Sequence, residues 1–531
     1  MQIYGADCET DPFETGRIPK PFLWGIYGES SYREFTDIQD FMDFCAILER
    51  GTIIYFHNGG KFDVHFLLPY LDKTTAQIIN GRIVKVNYKQ IQFRDSFACA
   101  PAPLSATGDK QDFEYWKLEK EYRLKYSNEI SGYLKQDCKA LFDLMMRYHD
   151  KVGNKITVAS NALNFAVKNL DIKIKKTTYL FDRKFREYYY GGRVEARQGG
   201  EFKDVSIYDI KSAYPYAMMC EHPHGNKYSE GKGYIKDAHF YKIKCHANNC
   251  FPQRIDGKLM FPVGYGEYNV SHWELEKAQE MGLVSDLEVL KSTKFHETIT
   301  FKPYIDHWYA EKEKAEQEGN KRDRLISKFL LNSLYGKMAQ DPLNFDEWVF
   351  KPTGSKIDHE NGWFLSHILE CFDGSHIEIH KRGMLKKFEE QYDDWQKENL
   401  YYNVATGASI TGYVRAMMFE AIHKNGKNDV IYCDTDSIAI KKPANDLDMS
   451  GALGSWECEG KAKRMIICGK KLYGIEWQDG EKKISSKGAK LKFEDLEKIN
   501  NGEIILWENE APTFSLTNGI YFVSRKIQKT I

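Results

Sequence analysis

Between two short apolar runs, Val430–Ile431 and Ile438–Ile440, lies Tyr432-Cys433-Asp434-Thr435-Asp436-Ser437. Two apolar runs split by so few polar residues predict a strand–turn–strand hairpin. Its turn then holds two carboxylates one residue apart. Like charges that close need a cation to offset their repulsion. An Asx-turn alone is a poor account of two acids in one tight turn. The hairpin therefore reads as a metal-binding turn.

Other acids follow the same logic. Asp7 and Glu9 alternate on the strand signal IYGADCE, so both carboxylates face one side. Asn58 and Asp63 sit in HNGGKFD, where a strand signal meets a helix signal. Tyr133 and Asp137 are spaced i, i+4 on a helix expected over 129–150. Three acidic sites on one α/β layer suit two hard cations, Mg²⁺ or Mn²⁺. Two such ions can activate a water for phosphodiester hydrolysis, with Tyr133 placed to orient it. A further acid, Asp209, ends the strand signal DVSIYDI and is followed by Ser212, Tyr214 and Pro215. Between these sets, Arg324, Lys328, Asn332 and Tyr335 fall on one helical stripe about 80° wide. Two cations, an amide and a phenol on one face suit a triphosphate and a base.

Composition bounds the alternatives. A chain of 531 residues is long enough for about three to four domains. Lys+Arg number 75 and Asp+Glu 76, so any polyanion footprint is local. Residues 1–50 hold ten acids and four bases, whereas 461–490 hold nine bases and three acids. The first could hold cations and the second a polyanion. No apolar stretch approaches the ~18 residues of a membrane span, so no membrane partner is expected. The start has neither the basic region nor the apolar run of a signal peptide. Eleven scattered cysteines suit reduced thiols in a cytoplasm. Cys220, His222, His224, Cys245, His246 and Cys250 are too irregularly spaced to make a strong zinc signal. There is no GxxxxGK[ST], which leaves a P-loop NTPase unsupported.

Along the chain, strand and helix signals alternate through an α/β layer of ~150 residues. Its first helix is expected to end at Gly51. Residues 220–300 are rich in Gly and polar residues, with short strands and a capping box at Ser271 and Glu274. Residues 303–338 predict two helices broken at Gly319–Asn320, and 408–424 a third that leads into the hairpin.

Together these residues resemble the family-B DNA polymerases. DxxSxYP at 209–215, KxxxNSLYG at 328–336 and YCDTDS at 432–437 resemble that family's three polymerase motifs. Asp7-x-Glu9, Asn58-x₃-Phe62-Asp63 and Tyr133-x₃-Asp137 resemble its three proofreading exonuclease motifs, in the right order. The subgroup resembled is the protein-primed polymerases of small phages and linear plasmids. Lys110 and Tyr115 match its additional exonuclease motif, and Tyr189 with Gly191 and Gly192 its YxGG-type linker. Thr411 and Arg415 resemble its template-binding T-x-x-x-R, and Lys471 with Tyr473 its primer-binding K-x-Y. Lys487 joins these as an expected DNA contact.

The resemblance implies a multidomain α/β and α+β chain: an RNase H-like DEDD exonuclease followed by a right-hand polymerase with two terminal-protein-region insertions. The implied segments are exonuclease at 1–150, linker and palm start at 151–220, first insertion at 221–302 and fingers at 303–338. Palm and second insertion follow at 339–400, palm at 401–487 and thumb at 488–531. Asp209, Asp434 and Asp436 would hold two Mg²⁺, as would Asp7, Glu9, Asp63 and Asp137; Mn²⁺ could replace it. Ser212, Tyr214, Arg324, Lys328, Asn332 and Tyr335 would bind nucleotide, and Asn58 the frayed strand. Primer–template DNA, dNTPs and a terminal protein are the implied partners of an otherwise monomeric enzyme in the host cytoplasm. Two alternatives stay open: a polymerase primed only by nucleic acid, and a DNA-binding replication scaffold.

Overall fold

The computed structural model describes residues 2–29, 31–107 and 112–531. The N-terminal layer is built on β1 (Ile3–Thr10), which pairs antiparallel with Pro21–Tyr27 and parallel with Ile53–Phe56. Ile91–Asp95 extends the parallel run. The long helix α1 (Ser127–Val152) lies across β1. Glycine sets that approach: a Cβ on Gly5 would stand 2.3 Å from the Cys138 carbonyl oxygen, and one on Gly25 2.8 Å from Leu134 Cγ. The first helix, Ile38–Ala46, stops short of the expected Gly51. Gly51, at φ +86°, instead donates its N–H to the Gln90 carbonyl and steers the chain into the next strand.

This layer is wider than the sequence predicts. Its sheet has ten strands, in the order Phe364–Glu370, His376–Gly383, Asp346–Pro352, Thr74–Ile79, Arg82–Tyr88, Ile91–Asp95, Ile53–Phe56, β1, Pro21–Tyr27, Tyr32–Phe35. Residues 346–383 thus supply three strands to the N-terminal sheet, where a palm segment and second insertion were expected. Val349 pairs with Thr75, and Phe350 is fully buried between the two segments. An otherwise open edge at Thr74–Ile79 is covered in this way.

The central sheet runs through β2 (Gly200–Ile210). The segment expected as a first insertion, 221–302, leaves after it as a four-stranded antiparallel sheet carrying helix α2 (His272–Glu280). Ser271 and Glu274 form the expected capping box. Lys302–Gln317 and α3 (Lys321–Met338) are the two expected helices, and the Asn320 side chain caps the second. α4 (Val404–Lys424) is almost wholly buried. β3 (Val430–Thr435), β4 (Ser437–Ile440) and β5 (Trp456–Gly469) belong to the same seven-stranded sheet, in which β5, β2, β4 and β3 are successive neighbours and Arg193–Ala196, Leu472–Trp477 and Lys482–Ser486 are the rest.

One apolar core joins the layers. It takes Leu141, Leu144 and Met145 from α1, Trp308 from Lys302–Gln317, Leu330 and Leu334 from α3, and Ile410 and Val414 from α4. Ion pairs reinforce the contact: Arg147 of α1 grips Asp323 of α3 with two hydrogen bonds, at 2.8 and 2.6 Å. Among the described residues, no helix is long and apolar enough to cross a membrane.

Gly5→Ala should force α1 off β1 and cost about 1–3 kcal/mol. Chemical denaturation reads this directly, and an unchanged midpoint would show that the helix moves without cost.

Candidate active sites

The first site forms where β2, β4 and β3 meet. Asp209 of β2 stands opposite Ser437 of β4, and the Ile210 N–H donates to the Asp436 carbonyl at 2.8 Å. The hairpin turn is strained. Thr435 has φ +64°, a left-handed conformation that costs a β-branched residue on the order of 1–3 kcal/mol. Local bonds hold it: Asp436 N–H to the Asp434 carbonyl at 2.7 Å, Thr435 Oγ1 to Asp434 Oδ1 at 3.1 Å, and Ser437 Oγ to the Asp434 carbonyl at 3.2 Å.

The result is a crowded pair of acids. Burial, then Asp436, Glu459 and Glu457, push the Asp209 carboxyl up to about 7. Burial, then Asp434, push Asp436 up to about 6. Asp434 is held apart by Lys471, whose Nζ lies 3.2 Å from its Oδ1. The sequence reading missed Glu457 and Glu459, which β5 places beside the site; Glu457 stands directly opposite Asp209. Strand register, which no local pattern reveals, brings them there.

Nucleotide-binding candidates surround this turn. After β2 the chain reverses at Ser212 (φ +56°) into the helix Ala213–Met218. Tyr214 stacks flat on Tyr335 of α3, with centroids 4.3 Å apart and planes within 2°. Arg324, Lys328 and Asn332 lie exposed along the same helix, while Ile326, Leu330 and Leu334 bury its other face. The expected stripe therefore exists. Gly192 closes the site from above: a Cβ there would meet Thr435 Cγ2 at 2.8 Å and the Tyr214 hydroxyl at 3.0 Å.

Several expected DNA contacts take other places. Thr411 and Arg415 are buried, so neither can meet a template strand directly. Arg415 spends its donors on Glu274 and on the Tyr190 carbonyl. Tyr473 packs against Tyr432, with centroids 4.8 Å apart. Lys487 is exposed in a turn at φ +52°. The basic segment 461–490 is also less free than its charge suggests. Lys461, Lys463, Arg464, Lys482 and Lys483 all face carboxylates. The histidines once weighed for zinc are engaged too: His222 bonds Ser409 and the Ala217 carbonyl, and His224 takes the Lys175 N–H.

The second site lies on the N-terminal layer. β1 supplies Asp7 and Glu9, the helix Asp63–Leu67 supplies Asp63, and α1 supplies Asp137. All four acids converge around two thiols. Burial, together with Asp7, Glu9, Asp63 and Asp137, raises Cys138 well above its ordinary range. Cys8 is raised in the same way, and burial likewise raises Asp63. Tyr133 stacks on Phe113 at 4.4 Å, and its hydroxyl lies 3.2 Å from that of the exposed Tyr115. Lys110 lies outside the described residues.

Asn58 (φ +62°) is fixed by Arg82, which donates to its Oδ1 at 2.8 Å and to Asp95 Oδ2 at 2.6 Å. Arg82 and Asp95 carry no spacing signal and were missed. Gly60 admits no side chain here, because a Cβ would stand 1.9 Å from the Ile83 carbonyl oxygen. Phe62 packs edge-on against Phe13, Phe66 and Phe514, the last from the C-terminal segment. Burial lowers His65 to about 3, so it is neutral.

Both donor sets are carboxylates, the ligands hard divalent cations prefer. The raised acids of the first site fit such an ion, which would remove their mutual repulsion. Among the described residues, no three such side chains stand as a finished metal cage. Lys471 Nζ occupies one oxygen, Oδ1, of the third carboxylate, Asp434.

Comparison with known proteins fits this geometry. Residues 107–428 match the family "DNA polymerase type B, organellar and viral". The chain is 32% identical to the DNA-directed DNA polymerase of Enterobacteria phage PRD1, covering 100% of this chain and 98% of the relative. It is 23% identical to the DNA polymerase of Bacillus phage phi29, over 89% of this chain and 86% of that one. Its fold matches the solved structure of phi29 DNA polymerase complexed with primer–template DNA and incoming nucleotide substrates. The TM-score is 0.74 at 19% identity, with both chains covered in full.

An acid whose pKa is higher in the folded than in the unfolded state weighs against folding increasingly as pH rises from the unfolded value to the folded one. Asp209, raised from the ordinary 3.8 to about 7, should therefore cost the metal-free protein stability progressively between about pH 4 and pH 7. Thermal melts should show Mg²⁺ stabilising more at the upper pH than at the lower, with Asp209→Asn flattening the difference. Equal Mg²⁺ shifts at both values would remove this repulsion from the account.

Proposed function

The chain belongs to the type B DNA polymerases of organelles and viruses, and from that membership we propose a protein-primed replicative DNA polymerase with 3′–5′ proofreading. The observation that carries the reading is the carboxylate pair Asp209 and Asp436, held raised beside the Tyr214–Tyr335 stack and the cationic stripe of α3. Family membership implies divalent metal use. We assign two Mg²⁺ to each carboxylate set, with Mn²⁺ as a substitute.

Asp209 and Asp436 would hold the ions, joined by Asp434 once Lys471 turns to the primer. When bound, the ions lower the pKa of the primer hydroxyl and offset charge on the triphosphate and leaving pyrophosphate. Lys328 and Arg324 would meet the phosphates. Ser212 would lie at the triphosphate, and Asn332 and Tyr335 would line the base pocket. The Tyr214 ring would lie beneath the sugar and leave no room for a 2′-hydroxyl.

At the second site, Asp7, Glu9, Asp63 and Asp137 would hold the hydrolytic ions, with Tyr133 orienting the water. Asn58 and Tyr115 would hold the frayed strand. Tyr189, Gly191 and Gly192 would pass the template along, with Thr411 and Arg415 acting on it through that loop. Lys471, Tyr473 and Lys487 would contact DNA. The insertion at 221–302 supports terminal-protein priming, since a polymerase primed only by nucleic acid does not need it. The enzyme would work as a monomer, apart from its initiation partner, in the host cytoplasm.

Primer–template extension with dNTPs, and 3′ shortening without them, test the two activities together. Asp436→Ala should abolish extension and spare hydrolysis; Asp7→Ala should do the reverse. Parallel loss of both in either variant would refute two separate sites. Tyr214→Val should admit ribonucleotides, measured as the ratio of dNTP to rNTP incorporation. An unchanged ratio would take Tyr214 out of sugar selection.

A further inference from the structure

The first insertion grips the loop that closes the polymerase site. Arg254 lies in the insertion's two-stranded hairpin, Gln253–Ile255 with Lys258–Met260. Its Nη2 donates to the Tyr189 carbonyl at 3.2 Å, and its guanidinium lies 5.3 Å from the centre of the Tyr190 ring. Arg415 of α4 takes the next two carbonyls. Its Nη1 donates to Tyr190 O at 2.6 Å and Gly191 O at 3.2 Å, and its guanidinium lies 5.6 Å from the same ring. Tyr190 thus contacts two guanidinium groups, and three successive carbonyls each accept from a charged donor.

The insertion also holds Arg415 itself. Glu274 Oε1 accepts from Arg415 Nε at 2.7 Å, and both side chains are 1% exposed. The other oxygen, Oε2, accepts from the Ser271 N–H at 3.0 Å and from Ser271 Oγ at 2.8 Å. Gly412 of α4 permits this approach, because a Cβ there would lie 2.3 Å from Ser271 Oγ. A buried guanidinium needs its counter-charge, so Glu274 is what keeps Arg415 aimed at the loop. The far end of the same loop is Gly192, pressed against Thr435 and Tyr214.

We propose that Arg254 and Glu274 are positioning residues through which the insertion sets the loop 189–192 against the catalytic turn, and so tunes the affinity for incoming nucleotide. The inference rests on the polymerase reading. Neither residue touches the reacting atoms. Arg254 acts directly on the loop, and Glu274 acts through Arg415.

The test uses the full chain as wild type, Arg254→Ala, Arg254→Lys and Glu274→Gln. Steady-state single-nucleotide insertion on primer–template gives KM for dNTP and kcat. Single-strand hydrolysis and the thermal midpoint are measured beside them. Arg254 is exposed, so its variants keep the fold. Arg254→Ala should raise KM about fivefold, the worth of one hydrogen bond, with kcat, hydrolysis and midpoint unchanged. Arg254→Lys should recover most of the loss, since one donor suffices for one carbonyl. Glu274→Gln should raise KM further; if it does not fold, the Arg254 pair decides alone. A KM for Arg254→Ala within about twofold of wild type overturns the proposal, as does an equal fall in single-strand hydrolysis. A wild type that fails to extend primers overturns the polymerase reading instead, so the two failures are distinct.

Discussion

Everything at the site where β2, β3 and β4 meet depends on carboxylates being kept where their charges oppose one another. Three adjacent strands fix the positions of Asp209, Asp434 and Asp436, and the left-handed Thr435 keeps the turn from relaxing. In water the acids would separate and ionise. Inside the sheet, burial and mutual repulsion raise the proton affinity of Asp209 and Asp436. The large core beneath supplies the rigidity. Helices α1, α3 and α4 share it, so the turn cannot shift without disturbing packing throughout the chain.

Within that frame the two sites solve different problems. The N-terminal set is the drier: Glu9, Asp63 and Asp137 are all buried. The polymerase set is more open and carries its own stand-in cation. Lys471 Nζ pairs with Asp434 Oδ1 at 3.2 Å.

Much of this was legible in the sequence. Alternation placed Asp7 with Glu9, helical spacing placed Tyr133 with Asp137, and the hairpin reading of 430–440 matches β3 and β4. The stripe on α3 emerged as four residues because a single helix carries it. What local pattern could not reach was pairing across sequence distance. Glu457 comes to Asp209 through strand register, and Asp95 comes to Asn58 through Arg82. Arg415 was assigned to DNA by motif, yet burial and Glu274 turn it inward to hold a loop. Residues 346–383 were read as part of the polymerase half because they follow α3 in the chain, but hydrogen bonding commits them to the other half.

That commitment has a consequence for how the protein is made. The edge strand Thr74–Ile79 emerges from the ribosome early, and its partner Asp346–Pro352 follows only after about 270 more residues. Until then the N-terminal sheet has an unpaired edge, open to strands of other chains. The C-terminal Phe514, which packs on Phe62 and Phe66, arrives later still. The N-terminal layer is therefore not a unit that can finish folding during synthesis and wait for the rest. Its completion waits for the C-terminal segment, and truncation before Phe514 leaves the first domain made as the one left unfinished.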